Sequence, residues 1–360
     1  MKYKDLPLPA RGERPALVVT VGDPSGVGPE ITLKALADER LSTAARLVVL
    51  GDERNLRTTA REQKLRWPFA AVVHPGTDGS AVGASLAASP TRGGDRKWDR
   101  PVLVDLENVD SDLLPGQVSA SAGRSAARAI EVAVELALPG VVDGIVTAPI
   151  HKESLSLAGY SDPGHTEMLQ RLTGAPRVGM LFWTEDFAVG LLSTHLSLAE
   201  AIRRVRRTRI LDQLLFVERE WSRYIGRRPR IAVAGLNPHA SEGGRFGVEE
   251  AQHVSPAIER ALARGLSVTG PVPPDAVFAQ AREGQYDLVF ALYHDQATIP
   301  VKTCYGRRAV NVTLGLPFVR TSVDHGTAMD IAGKGVASEE SLVQATLLAA
   351  RLVVARQRAT

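Results

Sequence analysis

Short apolar runs recur along this chain, each closed by a polar or turn-forming residue. ALVVTV begins at Ala16, RLVVLG at Arg46, GIVTAP at Gly144, FAVGLLS at Phe187, RIAVAG at Arg230 and YDLVFAL at Tyr286. They are rich in Val, Ile and Leu and bounded by Gly, Pro, Asn or His, which is the signature of buried strands. Between them the apolar spacing changes to that of helices. SASAGRSAARAIEVAVELAL, from Ser119 to Leu138, is Ala-rich with helical periodicity. Ser197 and Glu200 have the spacing of a capping box ahead of an Arg-rich helix. Residues 338–356 predict a terminal helix, with Ser338 at its N-cap and Glu339 and Glu340 near the positive end of the dipole. Alternating strands and helices predict an α/β fold with much parallel sheet. Residues 1–15 predict a loose leader and 75–100 a long surface loop, both poor in apolar residues. The stretch from Lys152 to Gly174 predicts a loop carrying Lys152, His165, Thr166 and Glu167 ahead of a helix.

The 360 residues are 44% apolar, enough for one large or two ordinary domains with a full core. No apolar run reaches the length of a membrane span, and the first residues lack the apolar segment of a secretory signal. A single cysteine, Cys304, excludes an intrachain disulfide and suits a reducing compartment. The expectation is a cytoplasmic protein with no membrane partner. The net charge is +3, with basic residues gathered at Arg203, Arg204, Arg206, Arg207 and Arg209. No nucleic-acid motif accompanies them, and a solvated helix face balanced by acids accounts for them, so no nucleic-acid partner is expected.

Candidate chemistry sits where strands end. GDPSGVGPEI follows the first run, and a Gly-rich turn opening a helix can hold an anion. Its spacing fits neither the dinucleotide fingerprint nor the P-loop, and a tight turn accounts for it equally. Four of the eight histidines, His151, His195, His239 and His294, stand just past apolar runs. One such histidine is ordinarily structural. Repetition at equivalent places argues otherwise, because strand carboxyl ends carry the site in α/β sheets. Three neutral imidazoles brought together there make a divalent-metal site with open positions for substrate. From Asp287 to Gly335 the density of chemistry is highest. His294 and Asp295 are followed by Lys302, Arg307, Arg308, Asn311 and Arg320, then by VDHGTAMDIAGKG with His325, Asp330 and Lys334.

GDPSGVGPEI, TAPIHKESL, GHTEML, STHLSL, GLNPHASEGGRFG, YHDQ and NVTLGLPFVRTSVDHGTA occur in this order over about residues 16–355. Together they resemble the 4-hydroxythreonine-4-phosphate dehydrogenase family, the enzymes of vitamin B6 (pyridoxine) biosynthesis and their paralogues. HGTAMDIAGKG also resembles the nucleotide loop of isocitrate and isopropylmalate dehydrogenases. The resemblance implies their two-lobed α/β/α fold with the active site in the cleft. One lobe would comprise residues 1–148 plus 305–360 with the nucleotide loop, the other 149–304 with the metal ligands and the contacts of a homodimer. It implies His195, His239 and His294 as metal ligands, in a site completed by the partner subunit. It implies His165, Thr166, Lys302, Asn311 and Arg320 as substrate contacts. NAD would lie along the 325–335 loop, against His325, Gly326, Asp330, Ala332, Gly333 and Lys334, where small residues permit close backbone approach.

The activity so implied is oxidation of a 3-hydroxy acid by NAD with a divalent metal (Zn, Mg, Co or Mn), followed by decarboxylation. Asp295 is the candidate general base or orienter of His294, and Lys152 the candidate for binding carboxylate. The expected substrate is 4-phosphohydroxy-L-threonine or a related four-carbon phosphorylated hydroxy acid. The alternatives are terephthalate cis-dihydrodiol, the substrate of a paralogue, and a non-catalytic sensor of a phosphate ligand. Ser241 stands where the biosynthetic enzymes usually carry Gly, and Arg245 where they often carry His.

Overall fold

The structure, a computed structural model, describes Tyr3, Leu6, Pro9, residues 14–74 and residues 100–359. Residues 75–99 of the expected surface loop, and most of the expected leader, lie outside the described residues. Tyr3 departs from a loose leader. It is buried, its ring meets that of Trp221 edge-on, and its hydroxyl accepts a 2.6 Å hydrogen bond from the indole N–H.

In chain order the strands are β1 (Ala16–Thr20), β2 (Arg46–Gly51), β3 (Ala71–Val73), β4 (Val102–Asp105), β5 (Gly144–Thr147), β6 (Gly179–Trp183), β7 (Ala188–Leu191), β8 (Ile231–Ala234), β9 (Val268–Val272), β10 (Leu288–Ala291), β11 (Val310–Leu314) and β12 (Val319–Ser322). The chain divides into two compact units. The larger comprises Leu8–Val178 and Gly315–Val354; the smaller comprises Met1–Pro7, Gly179–Leu314 and Ala355–Thr360. The boundaries expected near 148 and 304 fall instead at 178 and 314, and the two chain ends belong to the smaller unit. The reason lies in packing. The Ala-rich helix Ala120–Ala137 presses on the helix Lys152–Leu157 so closely that a Cβ on Gly123 would lie 2.0 Å from the Ser154 carbonyl oxygen. That contact keeps residues 149–178 with the larger unit.

Strand order in the larger unit is β3-β4-β2-β1-β5-β12, and every pairing is parallel. The central strands β1, β2, β4 and β5 are mostly aliphatic on both faces, as a sheet covered by helices on both sides requires. One side packs Val18, Val48, Leu50 and Ile145 against Ile130, Ala133 and Leu136 of the Ala-rich helix. In the smaller unit the order is β11-β6-β7-β10-β8-β9. Here β11, β6 and β7 are antiparallel neighbours, while β7, β10, β8 and β9 are parallel. The fold is α/β, with more antiparallel sheet than the strand–helix alternation predicts. The difference arises because Asp186 and its neighbours make a hairpin turn too short for a helical crossover. Among the described residues no helix is long and apolar enough to cross a membrane.

The entry to β10 is pinned by Asp287. Its buried carboxylate accepts from Arg227 and Arg230 side chains and from the Arg230 backbone N–H at 2.8 Å. Burial alone would raise this carboxyl, but the arginine hydrogen bonds outweigh it and hold it well below the usual carboxylate range. A depressed folded-state pKa gives stability that is present above the unfolded value of about 3.9 and lost as pH falls through the folded one. Asp287→Asn should therefore lower unfolding free energy at pH 7 by about 2–3 kcal/mol. The deficit should shrink in urea melts below about pH 4, where the native carboxylate begins to lose its advantage.

Candidate active site

The strand order places three distant histidines at the ends of adjacent strands and brings two of them, His195 and His294, together. His195 follows β7, His294 follows β10 and His239 follows β8, and these three strands lie side by side with β10 in the middle. The rings of His195 and His294 stand 5.5 Å apart between centroids. His294 opens the helix His294–Tyr305, and its Nδ1 lies 2.7 Å from Asp295 Oδ1. That hydrogen bond fixes the orientation of the ring. The fourth strand-end histidine, His151, is in the larger unit after β5. Its Nδ1 accepts from the Ser154 backbone N–H and caps the helix Lys152–Leu157, which is a structural role.

His239 is presented by an unusual backbone. From His239 to Gly243 every residue has positive φ: 52°, 53°, 73°, 40° and 70°. Four of the five are not glycine, so the turn is strained. Ser241 at φ 73° is one of them, and its hydroxyl donates to the Gly247 carbonyl across the turn. Arg245 is exposed and lies near Glu242 rather than over the histidine. His239 itself faces Asp275, with Nδ1 3.6 Å from Oδ2.

Two side chains that sequence patterns did not single out stitch these strand ends together. Ser193 Oγ donates to the Leu292 carbonyl, tying the end of β7 to β10. Gln296 is buried; its Oε1 accepts from Leu292 N–H and its Nε2 donates to Gly235 O, both at 2.7 Å, tying β10 to β8. Their signals were STH and YHDQ, where each stands within two residues of a histidine. The donor types suit a divalent metal, with two adjacent imidazoles, one oriented by a carboxylate, and a third at the neighbouring strand end, although the three ligand atoms are not all within 4.8 Å of one another. Among the described residues, one set of three His, Cys, Asp or Glu side chains has ligand atoms all within 4.8 Å, and it is Glu53, His74 and Asp105. There Asp105 already accepts from the Glu53 and Glu107 backbone N–H groups, and Glu53 pairs with Arg57.

Lys302 lies two turns along the helix that His294 opens, and Asn311 lies on β11 with its Oδ1 buried and making no hydrogen bond. In the larger unit, His165 and Thr166 open the helix His165–Thr173 rather than lying in a loop. The N-cap there, Gly164, supplies no side-chain acceptor, so the first N–H groups point outward. His165 as a whole is half-buried, yet its Nε2 is fully covered and makes no hydrogen bond. Burial, then the nearby Arg320 cation, pushes its pKa well below the ordinary histidine value, so the ring is neutral at pH 7. Arg320, on β12, is only 2% exposed and donates to Thr147 Oγ1 at 2.6 Å. Burial lowers its pKa to about 9, which leaves the guanidinium charged at neutral pH. A buried cation, an orphaned imidazole nitrogen and an uncapped helix start are the chemistry of an anion site. Lys152 is exposed in the first turn of its own helix, not in a loop.

The 325–335 loop is strapped to the helix Gly28–Ala35. Glu30 accepts from Gly335 and Ala337 N–H, while Lys34 Nζ donates to both of their carbonyls. Val27 N–H donates to Thr327 O, and a Cβ on Gly26 would meet Thr327 at 2.9 Å. The glycines of GDPSGVGPEI thus serve close backbone packing. His325 and Asp330 are exposed, as is Lys334, whereas Ala332 is buried.

The family model described as "Pyridoxal phosphate biosynthetic protein PdxA" matches residues 43–349. The chain belongs to the PdxA family. A D-threonate 4-phosphate dehydrogenase of Bordetella bronchiseptica is 41% identical over 94% of this chain and 92% of its own. A 4-hydroxythreonine-4-phosphate dehydrogenase of Beijerinckia indica is 43% identical, covering 94% and 95%. The solved 4-hydroxythreonine-4-phosphate dehydrogenase from Klebsiella pneumoniae superposes with a TM-score of 0.81 at 41% identity, covering 94% and 98%. A terephthalate 1,2-cis-dihydrodiol dehydrogenase from Burkholderia xenovorans gives 0.58 at 25%, covering 92% and 98%. As a member of the PdxA family the chain is a dehydrogenase acting on a CH–OH group.

For this PdxA-family chain the structure also separates two glycines of the loop. Gly333 has φ +77° and a Cβ there would strike Pro115 at 2.9 Å, so its smallness serves packing. Gly326 faces open space, with nothing within 4 Å of a Cβ. Gly326→Val should raise the KM for NAD about tenfold or more by filling that space while leaving the melting temperature unchanged. Gly333→Val should lower the melting temperature as well, since the left-handed backbone and Pro115 both oppose it. Steady-state kinetics with thermal melts of both variants checks this; an unchanged NAD KM in Gly326→Val removes the loop from the cofactor site.

Proposed function

We propose that this chain oxidises the secondary alcohol of a four-carbon, phosphorylated 3-hydroxy acid with NAD and a divalent metal, and that the resulting β-keto acid loses CO2. The observation that carries the reading is the trio His195, His294 and His239 at the carboxyl ends of β7, β10 and β8. A metal held there supplies Lewis acidity toward the substrate oxygen. Asp295 holds His294 in register for that role. In the larger unit Arg320 offers positive charge and Thr166 a polar group for a phosphate, and in the smaller unit Lys302 offers a cation and Asn311 an amide. His165, neutral at pH 7, donates or accepts a hydrogen bond without adding charge. The loop around Gly326 receives NAD, which takes the hydride. In atoms, the substrate C–H leaves as hydride to NAD and the hydroxyl proton is released to water; the C–C bond to the carboxylate then breaks as CO2 departs, its electron pair passing into the new ketone as an enolate that takes up a proton at carbon. Lys152 is assigned to a substrate carboxylate.

A phosphorylated substrate is favoured because the phosphate-named relatives reach 41–43% identity, against 25% for the dihydrodiol enzyme. A homodimer is part of the reading. Leu196, Leu198 and Ile202, beside His195, are exposed, as are Phe246, Val248 and Ile299 near the other two histidines. So much exposed apolar surface around one site calls for a covering partner. The reading places the enzyme in the cytoplasm.

The test is NADH formation and CO2 release with Zn, Mg, Co or Mn, offered 4-phosphohydroxythreonine, D-threonate 4-phosphate and the terephthalate dihydrodiol. Turnover of a phosphate substrate, abolished by chelation, is expected. Turnover of the dihydrodiol alone would move the chain to the aromatic branch. Binding of a phosphate acid with no turnover of any would mark it as a sensor.

A further inference from the structure

The left-handed turn that carries His239 cannot hold itself. Non-glycine residues pay about 1–2 kcal/mol each for that conformation, and His239, Ala240, Ser241 and Glu242 all adopt it. Something must clamp its two ends. On the exit side Ser241 Oγ donates to Gly247 O. On the entry side the clamp is Glu250, a carboxylate only 3% exposed, in the short π-helical segment Glu250–Val254. Its Oε1 accepts from Leu236 N–H at 2.8 Å and Asn237 N–H at 2.7 Å, and its Oε2 accepts from Asn237 Nδ2 at 2.7 Å. Asn237 Nδ2 also donates to Glu249 Oε2 at 2.9 Å. Asn237 is two residues from His239, so the carboxylate fixes the peptide from which the strained turn departs.

We infer that Glu250 is a positioning residue that, through Asn237, holds His239 in its left-handed, metal-presenting conformation. The inference rests on the metal reading above. The geometry requires a carboxylate rather than an amide. Two backbone N–H groups converge on one oxygen and an amide NH2 on the other, so both oxygens must accept. In Glu250→Gln the new NH2 faces Asn237 Nδ2, donor against donor, unless Asn237 turns over and abandons Glu249. π-Helical turns recur at functional sites for the same reason that this one is useful: they aim a side chain off the regular helical path.

The experiment titrates Co2+ into the metal-free full-length protein and follows its d–d absorption, beside thermal melts. Glu250→Gln keeps the side-chain volume and should fold, with Co2+ affinity reduced about 10–100-fold and an altered absorption band. A purely structural role would lower the melting temperature and leave the Co2+ affinity of the folded protein alone. Adding Glu242→Gly to Glu250→Gln should recover part of the lost affinity, because glycine adopts φ near 40° without the steric penalty. If Glu250→Gln fails to fold, Asn237→Ala carries the same test with the same expected direction. Co2+ uptake lost in His239→Ala but unchanged in Glu250→Gln, or in Asn237→Ala where that variant stands in, overturns this inference alone. No Co2+ uptake by the parent protein overturns the metal reading and this inference with it.

Discussion

Replacing His239 by alanine should abolish turnover while the protein stays folded. His239 is exposed on its turn and its ring lies 6.3 Å from that of Phe246, so truncation removes little buried surface. Loss of one imidazole from a three-imidazole set cuts metal affinity severely, since water replaces a strong donor with a weak one. The Lewis-acid contribution to an alcohol oxidation is several kcal/mol. A loss of about 4 kcal/mol corresponds to roughly a thousandfold fall in kcat/KM. His195→Ala and His294→Ala should match it, because their rings lie 5.5 Å apart at the ends of the strands β7 and β10, the latter the neighbour of β8. Asp295→Asn should be milder, about 10–100-fold in metal affinity, as it leaves all three ligands in place and weakens only the bond that orients His294. Metal content after dialysis, measured with activity, checks the series. Full metal content and activity in His239→Ala would show the site to be misassigned.

The part of this site legible in the sequence was the part set by strand periodicity. An apolar run ending in His fixes both the strand and the place of the imidazole at its carboxyl end, and three such runs proved to be the adjacent strands β7, β10 and β8. That adjacency is a long-range pairing with no local signal. His151 followed an equal run yet lies in the other unit as a helix cap. The clamp around His239 was illegible for a different reason. Positive φ at Ala240, Ser241 and Glu242 contradicts their local preferences and exists only because Glu250, Asn237 and Gly247 impose it. The helix His294–Tyr305 was likewise hidden, since Pro300 inside it reads as a break. The capping box at Ser197 was half right. Ser197 Oγ does accept from Glu200 N–H, but the Glu200 carboxylate turns to Arg203 and Arg204 instead of back to the cap. That pairing offsets the charge of two arginines in the basic run there, Arg203 and Arg204. The glycines of the loop differ in a way that sequence does not show: Gly333 packs against Pro115, whereas Gly326 faces open space.

Arg320→Ala should raise the KM for the phosphorylated substrate by roughly 10- to 150-fold, from the loss of about 1.5–3 kcal/mol in one charge-assisted contact. The warrant is that evolution seldom keeps a guanidinium 2% exposed without an anionic task. Thr147 accepts one of its N–H groups, and the Glu167 charge favours the cation. Truncation also opens a cavity beside β5, so the melting temperature should fall, and KM must be compared on folded protein. Arg320→Lys separates charge from shape: it keeps the cation but loses the planar fork, and should recover only part of the affinity. The KM for NAD should not move in either variant. The pH profile supplies an independent check. Burial and the Arg320 cation keep His165 neutral well below its ordinary value, so no histidine step near pH 6.5 should appear in the substrate KM of the parent enzyme. The second ionisation of the phosphate, near pH 6, should be the titration observed there. In Arg320→Ala the neighbouring cation is gone, so the His165 pKa should move up toward its ordinary value, limited by the burial that remains. NMR titration of the imidazole would show that shift. An unchanged phosphate KM in Arg320→Ala, with His165 titrating as before, would detach both residues from substrate and leave the phosphate end to Lys302 and Asn311.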